Sequence, residues 1–493
     1  MTDKNLSVVV AGRNPGNKEF AMMFIAAEST GALPGLGRKL PHYHKYSYLV
    51  FGGDEPVKLV EGRWPVLDSP MTVFIPSAEG KIVKTAMASL APRPPLAVLP
   101  PNFSKERMLA AINFLTQTKL AGRGLGTEGL DRAAAYIAEK FREAGLEPGG
   151  DDKGSYFQTW EEDVSGLGRS IMMKNVVGVI PGKNKEYSEQ SVVIGAHYDH
   201  LGLGWPDGSA EDRGKVHPGA DDNASGVAVL IELAAELKRK LKPERGLVFV
   251  AFTAEEAGRL GSRHYVTHER RYPTDKCIAM LNLDTVGRLG KKKLLVLGAG
   301  SATEWPHIFS EASSAAGVEL ETVSRELDSG DQVSFWTAGV PAVQLFSGPQ
   351  ADYHRATDTS DKIDPDGLEK VASIADEVIE YLASRKDALT ANIKQDQKAG
   401  YAPKQLRKVS LGVIPDYAYS GRGCRITGVI SDSPAESAGL REGDVIVGIN
   451  SDSVSSLKEF SNILKSLSPG SRVSISVLRD GREMTAEAEL KER

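Results

Sequence analysis

The chain has 493 residues, of which 41% are hydrophobic and 25% charged, with a formal net charge of -5 at neutral pH. This composition is typical of a globular protein with two or three domains, and the interspersed charges give no reason to expect a nucleic-acid-binding surface. No apolar run is long enough to span a bilayer. A disulfide framework is excluded, because the chain has only two cysteines and they lie far apart in the sequence.

Changes in sequence pattern divide the chain into three parts. Residues 1–95 have short apolar runs between Gly and Pro turns, which predicts a β-rich segment of no recognised role. Proline-rich residues 91–95, followed by Pro100 and Pro101, predict a stiff linker. Two further domains are expected at residues 102–388 and 404–493, separated by a polar, lysine-rich joint.

The middle part alternates apolar, β-branched runs with amphipathic helical patterns. Strands are predicted at 192–196, 247–252, 278–283, 294–297 and 342–346. Helices are predicted from Ser104 and at 130–144, 226–240, 302–316 and 366–383. This alternation predicts an α/β three-layer sandwich with a mostly parallel central sheet, whose binding residues lie at the carboxyl ends of the strands.

Histidine and acidic side chains recur where these predicted strands end or the next helix begins. The set comprises His197, Asp199, Asp222, Glu255, Glu256, Asp284 and His354. Imidazole and carboxylate ligands without thiolate suit a catalytic site for zinc or a related divalent ion. A pair of such ions needs a bridging carboxylate with terminal ligands on each side, and this set is large enough to supply them.

Five motifs in this part resemble those of the co-catalytic zinc aminopeptidases of peptidase family M28. They are GAHYDH at 195–200, GADDNASG at 219–226, TAEEAG at 253–258, NLD at 282–284, and Tyr353-His354. Residues 120–127 and 156–158 also look like the region through which substrate enters in that family. The resemblance covers residues from about 104 to 385 and implies a zinc-exopeptidase fold.

The resemblance assigns a role to each motif residue. Asp222 would bridge two Zn²⁺ ions, or other divalent ions. One ion would be completed by His197 and Asp284, and the other by Glu256 and His354. Glu255 would act as the general base on the water that bridges the ions and would pass its proton to the departing amine.

Three further residues are implied to support these groups. Asp199 resembles the carboxylate that orients the imidazole of His197, and Asp331 looks like the corresponding partner of His354. Asp331 is followed by Gln332, where many relatives have histidine. Tyr353 resembles a tyrosine that, in some members, donates its hydroxyl to the developing oxyanion.

The last part resembles a bacterial-type PDZ domain over residues of about 407–490. The strongest match is 433–450, where a short helix is expected to end at Gly439 and a turn leads into a strand at 445–449. Ser410, Leu411, Gly412 and Val413 resemble the loop that captures a peptide's C-terminal carboxylate through backbone amides. The sequence leaves two alternatives open, a peptide-binding PDZ domain and one that only packs against the catalytic domain.

The function implied is an aminopeptidase that acts on the N-termini of peptides or proteins. One alternative is a carboxypeptidase or dipeptidase, in which Arg288 or Arg355 would hold the substrate carboxylate. Others are a one-zinc glutaminyl cyclase and a non-enzymatic PDZ adaptor, although the complete ligand set and Glu255 favour a two-metal hydrolase. Similar proteins are commonly exported, whereas the N-terminal apolar segment is too short for a signal peptide, so the sequence leaves the compartment open.

Overall fold

A computed structural model describes residues 5–17, 20–64, 102–164, 166–269, 271–325, 329–393 and 407–492. These residues belong to two compact units, Met1–Pro101 and Asn102–Arg493. The predicted linker at 91–101 and the predicted start of the third domain at 404 lie outside the described residues. The domain boundaries proposed from the sequence therefore stay predictions.

The first unit contains a four-stranded antiparallel sheet, in the spatial order β2-β1-β3-β4. Its elements are β1 (Leu6–Arg13), β2 (Ala21–Ala27), α1 (Leu33–Lys39), β3 (Tyr48–Gly52) and β4 (Val57–Gly62). A small core forms where Val9, Leu36, Leu49 and Phe51 are buried.

The second unit begins with an α/β layer structure. In chain order its elements are α2 (Lys105–Leu115), α3 (Glu128–Glu143), β5 (Glu147–Pro148), β6 (Phe157–Val164), β7 (Arg169–Ile180), β8 (Ser191–His197), α4 (Gly226–Lys240), β9 (Gly246–Phe252), α5 (Leu260–His268), β10 (Cys277–Leu283), β11 (Leu294–Leu297), α6 (Trp305–Ala316), β12 (Leu320–Val323), α7 (Gln332–Thr337), β13 (Ala342–Phe346) and α8 (Pro365–Ser384). Side-chain caps set two of the helix starts, because Ser104 accepts from the amide of Arg107 and Thr127 from that of Leu130.

The central sheet has the order β12-β11-β13-β10-β8-β9-β7-β5, with β6 paired to β7. Strands β13, β10, β8 and β9 are parallel neighbours, so their carboxyl ends lie at one edge of the sheet. The flanking pairs β11/β13 and β7/β9 are antiparallel, which makes the sheet mixed. The predicted α/β sandwich is confirmed, and its parallel part is the centre that carries the predicted site residues.

Helices cover both faces of this sheet. One large core joins one sheet face to helices α2, α3, α4, α6 and α8, and a second core joins the other face to α5 and α7. All residues of β8, β9, β10 and β13 are buried, which explains their almost continuous apolar sequences. Each buried Val, Leu or Ile side chain contributes about 1.5–3 kcal/mol, so these four strands are a rigid support for the residues that follow them.

The ring of His264, on α5, is stacked between two aromatic side chains. Its centroid lies 3.9 Å from Trp160 and 4.0 Å from His268. Burial and the nearby charge of His268 lower the pKa of His264 to about 4. Because this is below the value of about 6.5 for an unfolded histidine, the stability it contributes is present above about pH 6.5 and is lost as the pH falls towards 4.

We therefore expect the ring protons of His264 to titrate in NMR spectra with a midpoint near pH 4. Replacing Trp160 with alanine exposes the ring to water and should move the midpoint upwards, towards the ordinary histidine value. A wild-type midpoint close to that of an unfolded histidine would contradict this explanation.

The second unit ends with a small β domain. Its elements are β14 (Val409–Ser410), β15 (Val413–Pro415), β16 (Cys424–Val429), α9 (Pro434–Ser437), β17 (Val445–Ile449), β18 (Asp452–Ser453), α10 (Leu457–Ser466), β19 (Arg472–Arg479), β20 (Arg482–Glu489) and β21 (Lys491–Glu492). The main sheet has the order β15-β16-β17-β19-β20. As predicted, a short helix is followed by Gly439, whose φ of 74° ends it in the left-handed region.

The small β domain packs against the carboxyl ends of strands in the central sheet. Tyr417 meets Phe346, at the end of β13, edge to face with ring centroids 5.2 Å apart. Leu457 joins the same apolar cluster, and Arg213 forms an ion pair with Glu492 at 2.9 Å.

Across the described ranges, no helix combines the length and apolarity needed to cross a bilayer.

Candidate metal centre and active site

The predicted ligands meet at the carboxyl edge of the four parallel strands. His197 is the last residue of β8, and Asp284 directly follows β10. The remaining candidates lie in the loops after β9 and β13 and in the turn before α4; they are Glu255, Glu256, His354 and Asp222. All six are almost completely buried, with at most 9% of each residue exposed.

One oxygen of Asp222 faces His197 and Asp284. His197 Nε2 lies 3.2 Å from Asp222 Oδ1 and 3.5 Å from Asp284 Oδ1. Two atoms that each lie about 2.0–2.1 Å from a tetrahedral zinc ion stand about 3.3–3.4 Å apart. The spacing of these three groups therefore fits a single ion.

The other oxygen of Asp222 faces His354 and Glu256. His354 Nε2 lies 3.2 Å from both Asp222 Oδ2 and Glu256 Oε2. A second buried imidazole, His200, has its Nδ1 3.0 Å from Glu256 Oε1 and 4.0 Å from Asp222 Oδ2. His200 was given no role from the sequence, although its place in the HYDH motif is a signal that could have identified it.

The donor set suits a borderline-soft divalent cation. Two trios, His197/Asp222/Asp284 and His200/Asp222/Glu256, each have ligand atoms within 4.8 Å of one another. Both contain Asp222, whose two oxygens point to different imidazoles, as a bridging carboxylate requires. The nitrogen and oxygen donors, with no sulfur among them, match a catalytic zinc site better than a structural one.

Strong mutual electrostatics hold this cluster together. Burial lowers the pKa of His197, but hydrogen bonds to Asp199 and Asp222 outweigh it, and the pKa is raised well above its ordinary value. Burial and the charge of Glu256 raise the pKa of Asp222, but its hydrogen bonds to His197 and His354 have the larger effect. The pKa of Asp222 is therefore lowered below its usual range. Both shifts have the same cause, since this buried cluster of carboxylates attracts positive charge, which a divalent cation would supply.

Asp199 connects His197 to the turn that carries the paired glutamates. Its carbonyl oxygen lies 3.2 Å from His197 Nδ1, and its carboxylate 3.7 Å. The same carboxylate accepts hydrogen bonds from the amides of Glu255 at 3.1 Å and Glu256 at 3.3 Å. Ala254, just before them, has a φ of 55°, so this turn holds a left-handed non-glycine residue next to the site.

The structure corrects the expected partner of His354. Asp207 Oδ2 lies 3.4 Å from His354 Nδ1, in the position that was assigned to Asp331. Asp331 directly precedes α7 and is fully buried on the other side of the site, where burial and the charge of Glu255 raise its pKa well above the usual range. The reason is topological, because α7 packs with α5 against the sheet face beneath the glutamate turn.

Asp358 positions Asp222 and was missed from the sequence. Its Oδ2 accepts hydrogen bonds from the amides of Asp221 and Asp222 at 3.0 and 3.1 Å, and its Oδ1 accepts from Arg288 at 2.7 Å. Arg288 also donates to Asp352 at 2.6 Å. Both terminal nitrogens of Arg288 are therefore engaged with the protein itself, which argues against its holding a substrate carboxylate.

Arg123, within the segment that resembles the substrate-access region, is completely buried. It donates hydrogen bonds to the carbonyl oxygens of Tyr198, Leu115, Pro218 and Gly219 at 2.7–2.9 Å. Burial lowers the pKa of its guanidinium to about 10. Arg123 thereby clamps the loop after His197 to the loop before Asp222.

Replacing Arg123 with methionine is expected to lower the free energy of unfolding by at least about 3 kcal/mol, because buried carbonyl groups lose their donors. Urea unfolding followed by circular dichroism measures this change. Arg132→Met is the matched control, since Arg132 is exposed on α3 and pairs with Glu128 one turn earlier on the same helix. It should change stability by less than about 0.5 kcal/mol. Equal stability of the two variants would show that the clamp is unimportant.

A cavity of about 1220 Å³ opens above the candidate metal centre. Glu255 and Tyr353 line it, as do His197, Asp222 and His354. The Tyr353 ring stacks on His354 with centroids 3.9 Å apart and is 47% exposed. Asp284 lines it too, so the predicted base and the predicted oxyanion donor share one space with four of the five predicted ligands.

The predicted carboxylate-binding loop of the small β domain also faces this cavity. Ser410, Gly412 and Val413 line it, whereas Leu411 is buried in the domain core. Gly412 has a φ of 82°, and a Cβ there would come within 2.1 Å of Ser433. The loop's path therefore depends on glycine at position 412.

Comparisons with known proteins agree with these observations. Residues 175–379 match the family model described as peptidase family M28, and residues 400–490 match that of the PDZ domain. Aminopeptidase YwaD of Bacillus subtilis (strain 168) is 30% identical over 239 residues, 46% of this chain and 48% of the relative. The matched segment thus spans about half the length of that protein.

Two further matches cover a larger share of the similar protein. Uncharacterized protein YfbL of Escherichia coli (strain K12) is 25% identical over 322 residues, 58% of this chain and 90% of the relative. A solved aminopeptidase from Aneurinibacillus sp. strain AM-1 is 22% identical, with a TM-score of 0.46, over 59% of this chain and 96% of that one. Residues 175–379 are thus a peptidase family M28 domain, and residues 400–490 are a PDZ domain.

Proposed function

We propose that this chain is a two-metal aminopeptidase that hydrolyses N-terminal residues from peptides. The observation that carries the proposal is the placement of Asp222 between two imidazoles, with His197 on one oxygen and His354 on the other, each at 3.2 Å. Asp284 adds a ligand to the first group and Glu256 to the second. Bound there, two zinc ions would lower the pKa of water and polarise the scissile carbonyl.

Glu255 is the proposed general base. It lines the cavity, is only 7% exposed, and directly precedes the proposed ligand Glu256. Its carboxylate would take a proton from the attacking water and deliver it to the amine of the leaving peptide, so that the proton balance closes within one turnover. Asp199 fixes the backbone of this residue, which keeps the carboxylate aimed into the cavity.

Other residues of the chain would orient the substrate and the ligands. Asp199 and Asp207, beside the Nδ1 atoms of His197 and His354, favour the tautomers whose Nε2 atoms bind metal. Tyr353, stacked on His354 and facing the cavity, would donate its hydroxyl to the developing oxyanion. The free α-ammonium group of the substrate would be attracted by the carboxylates beside the proposed ions.

The proposal is tested with paired substrates. The zinc-loaded protein should release the anilide from leucyl-p-nitroanilide but not from its N-acetylated counterpart, because the acetyl group removes the positive charge of the amine. A chelator should abolish the reaction, and added zinc should restore it. Cleavage of only the N-blocked member of a peptide pair would sink the proposal.

A carboxypeptidase or dipeptidase is the second candidate, favoured by one observation. Arg355 lines the cavity next to His354, paired with Glu211 at 3.6 Å. A substrate carboxylate could displace Glu211 and pair with Arg355. Turnover of N-acetylated dipeptides that is lost in Arg355→Gln would favour this candidate over the first.

A further inference from the structure

The cavity above the metal centre is shared by the peptidase and PDZ domains. Its walls include His197 and Glu255 on one side and Gly412, Val413 and Leu457 on the other. At about 1220 Å³, it exceeds the range of about 300–1,000 Å³ that is typical of small-molecule sites. The space is therefore sized for a peptide of several residues rather than for a single amino acid.

The PDZ wall has the two elements that bind an extended peptide. Strand β15 is the last strand of its sheet, and within the described residues its second edge has no partner strand. Leu457, Ser461 and Lys465 follow the i, i+4, i+8 spacing, so one face of α10 lies opposite it along the cavity. An edge strand beside a helix offers main-chain hydrogen bonds to a strand added between them.

Charge favours a carboxylate at this end of the cavity. The PDZ residues that line it include Arg407, Lys458, Lys465 and Lys491. Its acidic lining residues in the described part of the domain are Asp432 and Glu492, and Glu492 is paired with Arg213. The balance at the PDZ wall is positive, in contrast to the carboxylate-rich metal centre.

The direction of β15 also fits a peptide that extends from the PDZ loop towards the metal centre. A peptide that adds antiparallel to β15, with its C-terminus at the loop of residues 410–413, runs towards Pro415 and then Tyr417. Tyr417 packs on Phe346, the last residue of β13, and it lines the cavity together with Tyr353. The N-terminal part of such a peptide is thus led towards the metal centre.

We propose that one substrate peptide occupies both ends of this cavity, with its N-terminal residue at the metal centre and its C-terminal carboxylate at the PDZ loop. This inference rests on the proposed aminopeptidase function and deepens it, because it names the substrate class: short oligopeptides with both termini free. The PDZ domain is then part of the substrate site rather than a separate adaptor. A peptide too short to span the cavity gains nothing from its carboxylate, which sets a minimum length.

The test compares the KM of peptides that differ only at the C-terminus. A series of peptides of two to eight residues, each with an N-terminal leucine, is made with a free C-terminal carboxylate and with a C-terminal carboxamide. We expect equal KM values for the shortest members and, above a threshold length, a KM lower by about tenfold or more for the free acid, as a charge-assisted hydrogen bond supplies. The double substitution Lys458→Gln and Lys465→Gln should reduce this ratio to nearly one.

Arg472→Gln is the matched control. Arg472 is an exposed cation of the same domain, on β19 and paired with Glu489, and it is not part of the cavity wall. Its variant should keep the full preference for the free acid. Binding of the same peptides to zinc-loaded Glu255→Gln, followed by fluorescence anisotropy, should show the same acid-to-amide ratio without turnover.

Several results would overturn the inference. The length series would do so with a ratio near one at every length or with a preference that is already complete in dipeptides, and the double variant would do so with an unchanged ratio. Activation of leucyl-p-nitroanilide turnover by an N-acetylated free-acid peptide would also overturn it, since the groove would then bind an effector. The anilide has no C-terminal peptide, so its failure to react would reject the proposed function, whereas a ratio near one with an active anilide rejects only the shared substrate.

Discussion

The Glu255→Gln variant is expected to bind metal as the wild type does, while its kcat falls by about a hundredfold to ten-thousandfold, the contribution of a well-placed general base. Glutamine has nearly the same shape, so the backbone hydrogen bond to Asp199 should be kept. The amide cannot accept a proton from water at neutral pH, and only this step is lost. Turnover of leucyl-p-nitroanilide and metal content by mass spectrometry measure the two expectations separately.

Glu211→Gln is the matched control for this variant. Glu211 lines the same cavity, but its side chain is 74% exposed and pairs with Arg355, away from the ligands. Its kcat on the anilide should stay close to that of the wild type. If Glu255→Gln keeps wild-type turnover, another group is the base.

Replacing Asp222 with alanine is expected to remove both proposed ions and to lower activity by at least about a thousandfold, because the ions stabilise the transition state by several kcal/mol. The two oxygens of Asp222 face His197 and His354, so neither trio stays complete without it. Metal content per chain should fall from two towards zero. Circular dichroism shows whether the fold is kept.

Asp284→Asn separates a shared ligand from a terminal one. Asp284 Oδ1 faces only the His197 side of the cluster, 3.5 Å from its Nε2. This variant should lose one ion and keep the other. If Asp222→Ala also retains one full equivalent, Asp222 does not bridge.

The sequence predicted the scaffold closely where apolar patterning decides the structure. Strand β11 and strand β13 have the predicted bounds, and α4 begins and ends where the helical pattern does. Strands buried on both faces give unbroken apolar runs, which are easy to identify. The sequence predicted a mostly parallel sheet and did not reveal that β7 runs antiparallel to β9. A run of apolar residues carries no information about strand direction.

The motif residues could be predicted to cluster, but their partners could not. Asp207 lies in a loop that resembles no motif, so nothing in the sequence linked it to His354. Asp358 was visible in the segment after His354, yet its task depends on a fold that brings it to the amides of Asp221 and Asp222. Such contacts join residues more than a hundred positions apart and are decided by tertiary structure alone.

The two adjacent glutamates have the same side chain, and the different roles proposed for them depend on geometry only. Asp199 holds both of their amides with one carboxylate, so neither can shift along the chain without the other. An insertion or deletion of one residue in this turn would move one glutamate into the position of the other and leave an unsuitable neighbour in its own. Chemical identity at residues 255 and 256 is thus less informative than register, and a substitution elsewhere that lets the turn slip should be as damaging as the loss of either carboxylate.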